Sequence, residues 1–131
     1  MAESSLTGSF SRRRADGRDA LAPYAEDDFS GAADRLEQLA GRYPQRPEAN
    51  LYLGICRMFL RQDDAAIRSL QAAQSTASDS LLADATWYLG SAYARAGEKS
   101  RSATELRKLC DGTSLYSTRA CAGLAELDRR P

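Results

Sequence analysis

Two segments of the chain carry the same pattern, and this repetition constrains the fold more than any other feature. The copies span residues 48–73 and 84–109. Gly54 and Gly90 are 36 positions apart, and each is followed after 16 positions by a leucine, Leu70 or Leu106. Repeats of about this length predict stacked helical hairpins, because each hairpin can bury its apolar face only against a neighbour.

The apolar residues support a helical interpretation from about residue 16 to the end of the chain. They recur at intervals of three or four positions, and no alternating strand pattern is present. Pro44 and Pro47 mark the end of one helix, and Gly97 has the position of a helix C-cap. Short loops between helices make neighbours antiparallel, so the pattern predicts three hairpins and a final helix, about seven helices in all.

Composition excludes several classes of function. The chain has 18 basic and 18 acidic residues in 131, so its zero net charge gives no reason to expect binding to nucleic acid or to membranes. It has no histidine, which removes the commonest general base and the commonest metal ligand. We find no phosphate-binding loop, no nucleophile elbow and no metal-ligand cluster, so we expect no catalytic residue, no metal and no cofactor.

The three cysteines lack the Cys-x-x-Cys spacing of a zinc site. Cys56 falls within an apolar helical stretch, where a small buried residue is expected. Cys110 and Cys121 lie near the ends of consecutive predicted helices. We expect free thiols there, and a bond between these two remains the alternative.

The length is that of one domain. Residues 1–15 are rich in serine and glycine and predict a disordered tail, which leaves residues 16–131 as a single helical domain. The run Arg12–Arg14 in that tail is interpreted as solvated, or as a contact with an acidic partner. Asp27–Asp28 and Asp63–Asp64 fall in turns between helices, where capping explains paired carboxylates better than catalysis does.

The repeated pattern resembles the tetratricopeptide repeat, whose first helix reads Trp-x2-Leu-Gly-x2-Tyr and whose second reads Ala-x3-Phe. Leu53-Gly54 with Ala66-x3-Leu70 forms one copy. A further copy has Leu89-Gly90-x2-Tyr93 with Ser102-x3-Leu106, and Ala32-x3-Leu36 followed by Pro44 keeps half of a third. The resemblance covers roughly residues 16–110. It implies an all-α fold of antiparallel hairpins in a short right-handed solenoid, with residues 113–129 as the capping helix.

The chain departs from the family pattern at several positions. Trp87 stands one place after the tryptophan position, Arg57 replaces a tyrosine, and Ser102 replaces an alanine. A narrower resemblance is also present: the segments Pro23–Phe29 and Leu115–Ala120 look like soluble repeat domains of bacterial anti-sigma-like regulators and envelope-associated lipoproteins.

The tetratricopeptide resemblance implies that partners bind on the concave face, which the first helix of each hairpin lines. The concave positions of this chain are Glu48, Leu51, Ile55, Met58 and Phe59 in one repeat and Asp84, Trp87, Ser91, Ala94 and Arg95 in the next. Trp87 with Arg95 fits a binding hot spot, and a half-buried packing role for Trp87 is the alternative. Met58 and Phe59 are interpreted as core residues. Leu51 and Ile55 occupy positions where some family members carry the Lys and Asn that bind a peptide's terminal carboxylate, so that activity is not expected.

We therefore expect a non-catalytic scaffold that binds another protein, as a peptide or a partner helix, through this face. The alternatives are a self-assembling structural module and a soluble sensory or regulatory domain of an anti-sigma-like bacterial regulator. The partners expected are protein, with homo-oligomers possible, and neither nucleic acid nor inserted membrane. The amino terminus lacks the pattern of a secretory signal, so a cytoplasmic location is expected, with the soluble part of an envelope-associated protein as the alternative.

Overall fold

The computed structural model describes residues 28–129, which form six α-helices and no strand. The helices are α1 (Phe29–Arg42), α2 (Pro47–Phe59), α3 (Asp63–Thr76), α4 (Asp79–Arg95), α5 (Lys99–Cys110) and α6 (Ser117–Arg129). The predicted all-α fold is confirmed. The predicted tail at residues 1–15 and the first predicted helix, which would begin near residue 16, lie outside the described residues.

Local sequence signals set where several helices begin and end. The Asp28 carboxylate accepts a hydrogen bond from the Gly31 backbone N–H (3.1 Å) and caps α1. Pro47 stands in the first turn of α2, where its missing N–H costs nothing. Gly97 follows α4 with φ of 81°, a conformation that favours glycine, as its predicted role requires.

The prediction that Asp63 or Asp64 caps α3 is wrong. The capping position belongs to Gln62, whose side chain makes no capping hydrogen bond, and both aspartates lie inside the first helical turn. There their negative charges favour the positive end of the helix dipole. The paired carboxylates thus stabilise the start of the helix, although from a position one residue later than expected.

The helices pack as consecutive antiparallel neighbours, α1 on α2, α2 on α3 and so on to α6. In addition α2 packs against α4, whereas within residues 28–129 no comparable packing joins α3 to α5. Because α2 and α4 approach each other more closely than α3 and α5 do, the array curves toward the side of α2 and α4. These two helices therefore form its inner layer. The inner layer is the predicted concave side.

Three apolar clusters follow one another along the array. The first joins α1 to α2 through Ala32, Ala33, Leu36, Leu53 and Cys56. The central cluster joins α2, α3 and α4 and includes Leu51, Ile67, Leu70, Leu89 and Tyr93. The last joins α5 to α6 through Leu106, Leu109 and Ala120, with Trp87 of α4 packed against it. Each helix therefore depends on its neighbours for burial, as expected of a repeat array.

The repeated glycines stand where the two helices of a hairpin approach most closely. A Cβ atom on Gly54 would lie 2.5 Å from Leu70 Cγ and 3.3 Å from the Ala66 carbonyl oxygen. A Cβ atom on Gly90 would lie 3.1 Å from Leu106 Cδ2. The glycine and the leucine 16 positions later are thus one contact, repeated in both hairpins.

Two of the three departures from the family pattern, Ser102 and Arg57, make polar contacts between helices. Ser102 is fully buried, and its hydroxyl donates to the Gly90 carbonyl oxygen (2.8 Å). Arg57 donates to Ser69 Oγ (2.9 Å) and to Glu37 Oε1 (3.2 Å), which links α2 to α3 and to α1. These substitutions replace apolar contacts of the family pattern by hydrogen bonds between helices.

The expectation of free thiols at Cys110 and Cys121 is wrong, because the two residues form a disulfide. Their Cα atoms are 4.8 Å apart, and the bond connects the end of α5 to the second turn of α6. The helical spacing places both sulfurs on facing sides of this last hairpin, which the sequence alone did not reveal. Cys56 is buried, as predicted, and is not part of a disulfide.

We predict that Gly54→Ala destabilises the protein by up to about 2 kcal/mol. Overpacking against Leu70 costs roughly 1–3 kcal/mol, and the better helix propensity of alanine returns only about 1 kcal/mol. Leu70 is fully buried and has little room to move aside. Gly41→Ala is the matched control, since a Cβ there meets nothing within 4 Å. Urea unfolding would measure both, and equal stability of the two variants would contradict the proposed close contact.

Candidate partner-binding surface

The inner layer presents one face of α4 that the rest of the array leaves partly accessible. Along this helix the residues facing the other helices are buried, including Ala85, Leu89 and Ala92. The opposite face carries predicted concave residues: Asp84, Trp87 and Ser91 are half-buried, and Ala94 and Arg95 are exposed. The structure therefore brings the predicted residues of this repeat together on one side of α4.

The predicted residues of α2 divide into two groups. Leu51 and Met58 are buried in the central cluster, 3% and 8% exposed, and Ile55 packs partly against it. Burial removes Leu51 and Met58 from the accessible surface. Glu48 and Phe59 are exposed at the two ends of the helix. We define the concave surface as the accessible residues among those predicted: Glu48, Ile55, Phe59, Asp84, Trp87, Ser91 and Arg95.

The interpretation of Phe59 as a core residue is wrong, whereas that of Met58 is confirmed. Phe59 is 59% exposed. Its ring stacks on that of Phe29 with centroids 4.9 Å apart, at the junction of α1 and α2. Because Phe59 is the last residue of α2, the helix ends before any following turn covers it.

Trp87 lies between α4 and the last helix. Its indole stacks on the Tyr116 ring at 5.3 Å, and the Arg119 guanidinium lies 5.6 Å from the centroid of each ring. Trp87 also packs against the cluster of Leu106, Leu109 and Ala120. These contacts favour the packing interpretation of Trp87, while its accessible part still faces the concave side.

Asp84 is held by the segment that precedes α6. The Tyr116 hydroxyl donates to Asp84 Oδ1 over 2.7 Å. Partial burial, followed by the hydrogen bond and the negative charge of Asp84, raises the pKa of Tyr116 above its usual value. Beside this pair is a cavity of about 400 Å³ between the start of α4 and the loop after α5. It is lined by Asp79, Ser80, Ala83, Asp84, Thr113, Ser114, Leu115 and Tyr116.

Arg95 ties the two inner helices together at their other ends. Its guanidinium donates to the Met58 carbonyl oxygen (2.9 Å), near the carboxyl end of α2. A polar cleft of about 310 Å³ lies beside it, lined by Arg61, Asp63 and Arg95. Arg95 therefore adds a donor to a helix-end carbonyl that also accepts from the Arg61 backbone N–H (3.0 Å), and it places positive charge at this edge of the surface.

Charge is unequally distributed across the concave surface. Glu48 and Asp84 lie near the amino ends of α2 and α4, and Arg61 and Arg95 lie at the carboxyl ends. Since α2 and α4 are both antiparallel to α3, they run parallel to each other. Their amino ends therefore lie on one side and their carboxyl ends on the other. One edge of the surface thus carries two acidic residues and the other carries Arg95. Glu48 and Arg95, in the first and last turns of their helices, also complement the helix dipoles.

A polar cluster that the sequence did not predict lies at the junction of α3, α4 and α5. Gln74 Nε2 donates to Thr86 Oγ1 (3.1 Å) and to Glu105 Oε1 (2.8 Å), and Lys108 Nζ donates to both oxygens of Glu105. The Glu105 side chain is only 11% exposed. Nothing in the spacing signals it, because Glu105 precedes Leu106 on what reads as a polar helix face. Its bonds are satisfied internally, which indicates a structural role.

Among residues 28–129 there is no group of three or more Cys, Asp or Glu side chains arranged to hold a metal ion. Within the same part of the chain, no helix has the length and apolarity needed to cross a membrane.

A family model described as tetratricopeptide repeat matches residues 24–86. Residues 24–86 therefore carry tetratricopeptide repeats. The match covers the end of the first repeat, all of the second and the start of the third, and the Gly90–Leu106 contact continues the same packing beyond it.

The fold is similar to that of a solved structure, the type III secretion translocator chaperone SycD of Yersinia enterocolitica. The TM-score is 0.71 at 20% sequence identity, over 83% of this chain and 78% of that chain. At this identity the similarity establishes the shared fold. No curated protein matches the sequence.

We predict that Tyr116→Phe lowers the free energy of unfolding by about 1 kcal/mol near neutral pH, because one hydrogen bond is lost. The raised pKa favours neutral Tyr116 in the folded state. Its contribution is therefore complete below the unfolded pKa, about 10, and is lost as the pH rises beyond it. The difference in unfolding free energy between wild type and variant should shrink above that pH in denaturant titrations. The other tyrosines are present in both proteins, so their titration does not contribute to this difference. A difference that stays constant would show that the hydrogen bond does not form.

Proposed function

We propose that this protein is a non-catalytic scaffold that binds a segment of another protein on its concave surface. The observation that carries the proposal is the inner layer itself: α2 and α4 present Ile55, Trp87 and Ser91 on one side, where no described helix covers them fully. A preformed helical surface needs little ordering when it binds, which favours capture of a flexible peptide or a partner helix.

The chemistry of the surface indicates what kind of segment fits. Ile55, Phe59 and Trp87 supply apolar area in the middle and at one end, and the two edges carry opposite charge. A bound segment with apolar side chains on one face, basic residues toward Glu48 and Asp84, and acidic residues toward Arg95 would match all three features. The similarity to SycD, a translocator chaperone, also supports another protein as the partner.

Ser91→Arg tests this proposal. Ser91 is half-buried on the exposed side of α4, with its hydroxyl bonded to the Trp87 carbonyl oxygen (3.0 Å). A long cationic side chain there would fill the surface, and we expect partner affinity to fall about tenfold or more, roughly 1.4 kcal/mol. The measurement is the dissociation constant for a partner first isolated with the wild-type protein.

Thr104→Arg is the matched control. Thr104 is exposed on α5, in the outer layer, and makes a similar hydroxyl bond to its own helix at Ser100. The control should keep wild-type affinity, and both variants should have the melting temperature of the wild type. Equal binding by all three proteins would place the partner elsewhere on the molecule.

Self-assembly is the second candidate, and exposed apolar side chains at the carboxyl end of α1 support it. Leu39 and Tyr43 are 44% and 49% exposed there. If this patch joins two copies, sedimentation should show a mass that rises with concentration in the wild type and stays monomeric in Tyr43→Ser. A monomer at all concentrations would remove this candidate.

A further inference from the structure

The last helix is the least buried of the six described helices. In α6 only Ala120 is buried, whereas α4 buries six residues. Tyr116, Leu124 and Leu127 add partly buried contacts with the cluster around Leu106. Apolar burial therefore holds this helix less firmly than any other, and helices of this kind open first in local unfolding.

The disulfide lies where it compensates for this weak packing. Cys110 is the last residue of α5, and Cys121 lies in the second turn of α6. The loop that the bond closes contains Thr113, Ser114, Leu115 and Tyr116, which are half of the residues lining the cavity beside Asp84. The same loop delivers Tyr116 to its stack with Trp87 and to its hydrogen bond with Asp84.

We propose that the Cys110–Cys121 bond is a reducible clamp that keeps α6 docked and so fixes one end of the concave surface. When the bond is intact, Tyr116 and Arg119 cover Trp87 and the cavity keeps its second wall. When it is reduced, α6 opens, Trp87 loses its two covering residues and the cavity opens with it. This clamp operates within the chain itself, whether or not a partner binds there.

The sulfur atoms differ in accessibility, which defines the chemical step. Cys121 is exposed and Cys110 is half-buried, so a dithiol reductant reaches Cys121 first. A thiolate of the reductant attacks Cys121 Sγ and forms a mixed disulfide with it. The Cys110–Cys121 bond breaks, and Cys110 leaves as a thiolate that takes up a proton. The second thiol of the reductant then displaces Cys121 and closes the reductant's own disulfide. One disulfide and one dithiol thus become two cysteine thiols and one oxidised reductant.

Hydrogen exchange with a thiol count tests the clamp. The protein is equilibrated with oxidised glutathione, and half is then treated with dithiothreitol. We expect one reactive thiol per denatured chain before reduction, from Cys56, and three after it. On reduction, amide exchange in residues 117–129 should become about tenfold faster or more, while residues 51–76 of the central hairpin stay unchanged. The emission of Trp87, the only tryptophan in the chain, should shift to longer wavelength.

Two variants control for effects of the reductant itself. Cys110→Ser/Cys121→Ser should show the fast exchange without dithiothreitol and should not respond to it. Cys56→Ala keeps the bond and should respond as the wild type does. Three reactive thiols after glutathione treatment would overturn the proposal, because no bond forms. Opening of the bond without faster exchange in residues 117–129 would overturn it equally, because α6 would then be held by packing alone.

Discussion

The close approach of the two helices within each hairpin is the constraint on which the array depends. At Gly54 the backbone of α2 meets the side chain of Leu70, and at Gly90 the backbone of α4 meets Leu106. Each leucine fills the space that a missing Cβ leaves, so both helices can bury their small residues, such as Ala66 and Ser102, completely. Because each hairpin then offers a flat apolar side to the next, close packing within the hairpins is what allows the hairpins to stack.

The layering of the helices explains why equivalent repeat positions have different surroundings. Leu51 and Trp87 are 36 positions apart and occupy the same place in successive repeats. Leu51 is buried in the central cluster, to which α3 and α4 both contribute. Trp87 is followed only by α6, and it is covered by Tyr116, just before that helix, and by Arg119 within it. A position that is core inside the array therefore becomes part of the surface near its end, and a larger side chain occupies it there.

Most of the architecture could be predicted from the sequence, because it depends on local signals that repeat. The helical periodicity, Gly97 as a C-cap and the Gly–Leu pairs each specify the same arrangement of hairpins. The surface was less predictable, since exposure depends on which helix lies across a residue. The family pattern placed Leu51 and Met58 with Ile55 on the concave side, and only the packing of the central cluster shows that the first two are buried. Contacts between distant residues, such as Glu105 with Gln74, leave no trace in local spacing.

The helix at the end of the array is covered on fewer sides than the helices inside it. An inner helix is covered on both sides, but α6 has a described neighbour on one side only, and its outer residues, including Thr118, Ala122 and Glu126, are exposed. A polar outer face keeps such a helix from exposing apolar area, yet it also limits how firmly burial can hold it. A covalent link to α5 supplies what burial does not, by restricting the unfolded chain as well as the folded one. The same bond holds Tyr116 against Trp87, so the stability of the last helix and the shape of the concave surface depend on a single pair of sulfur atoms.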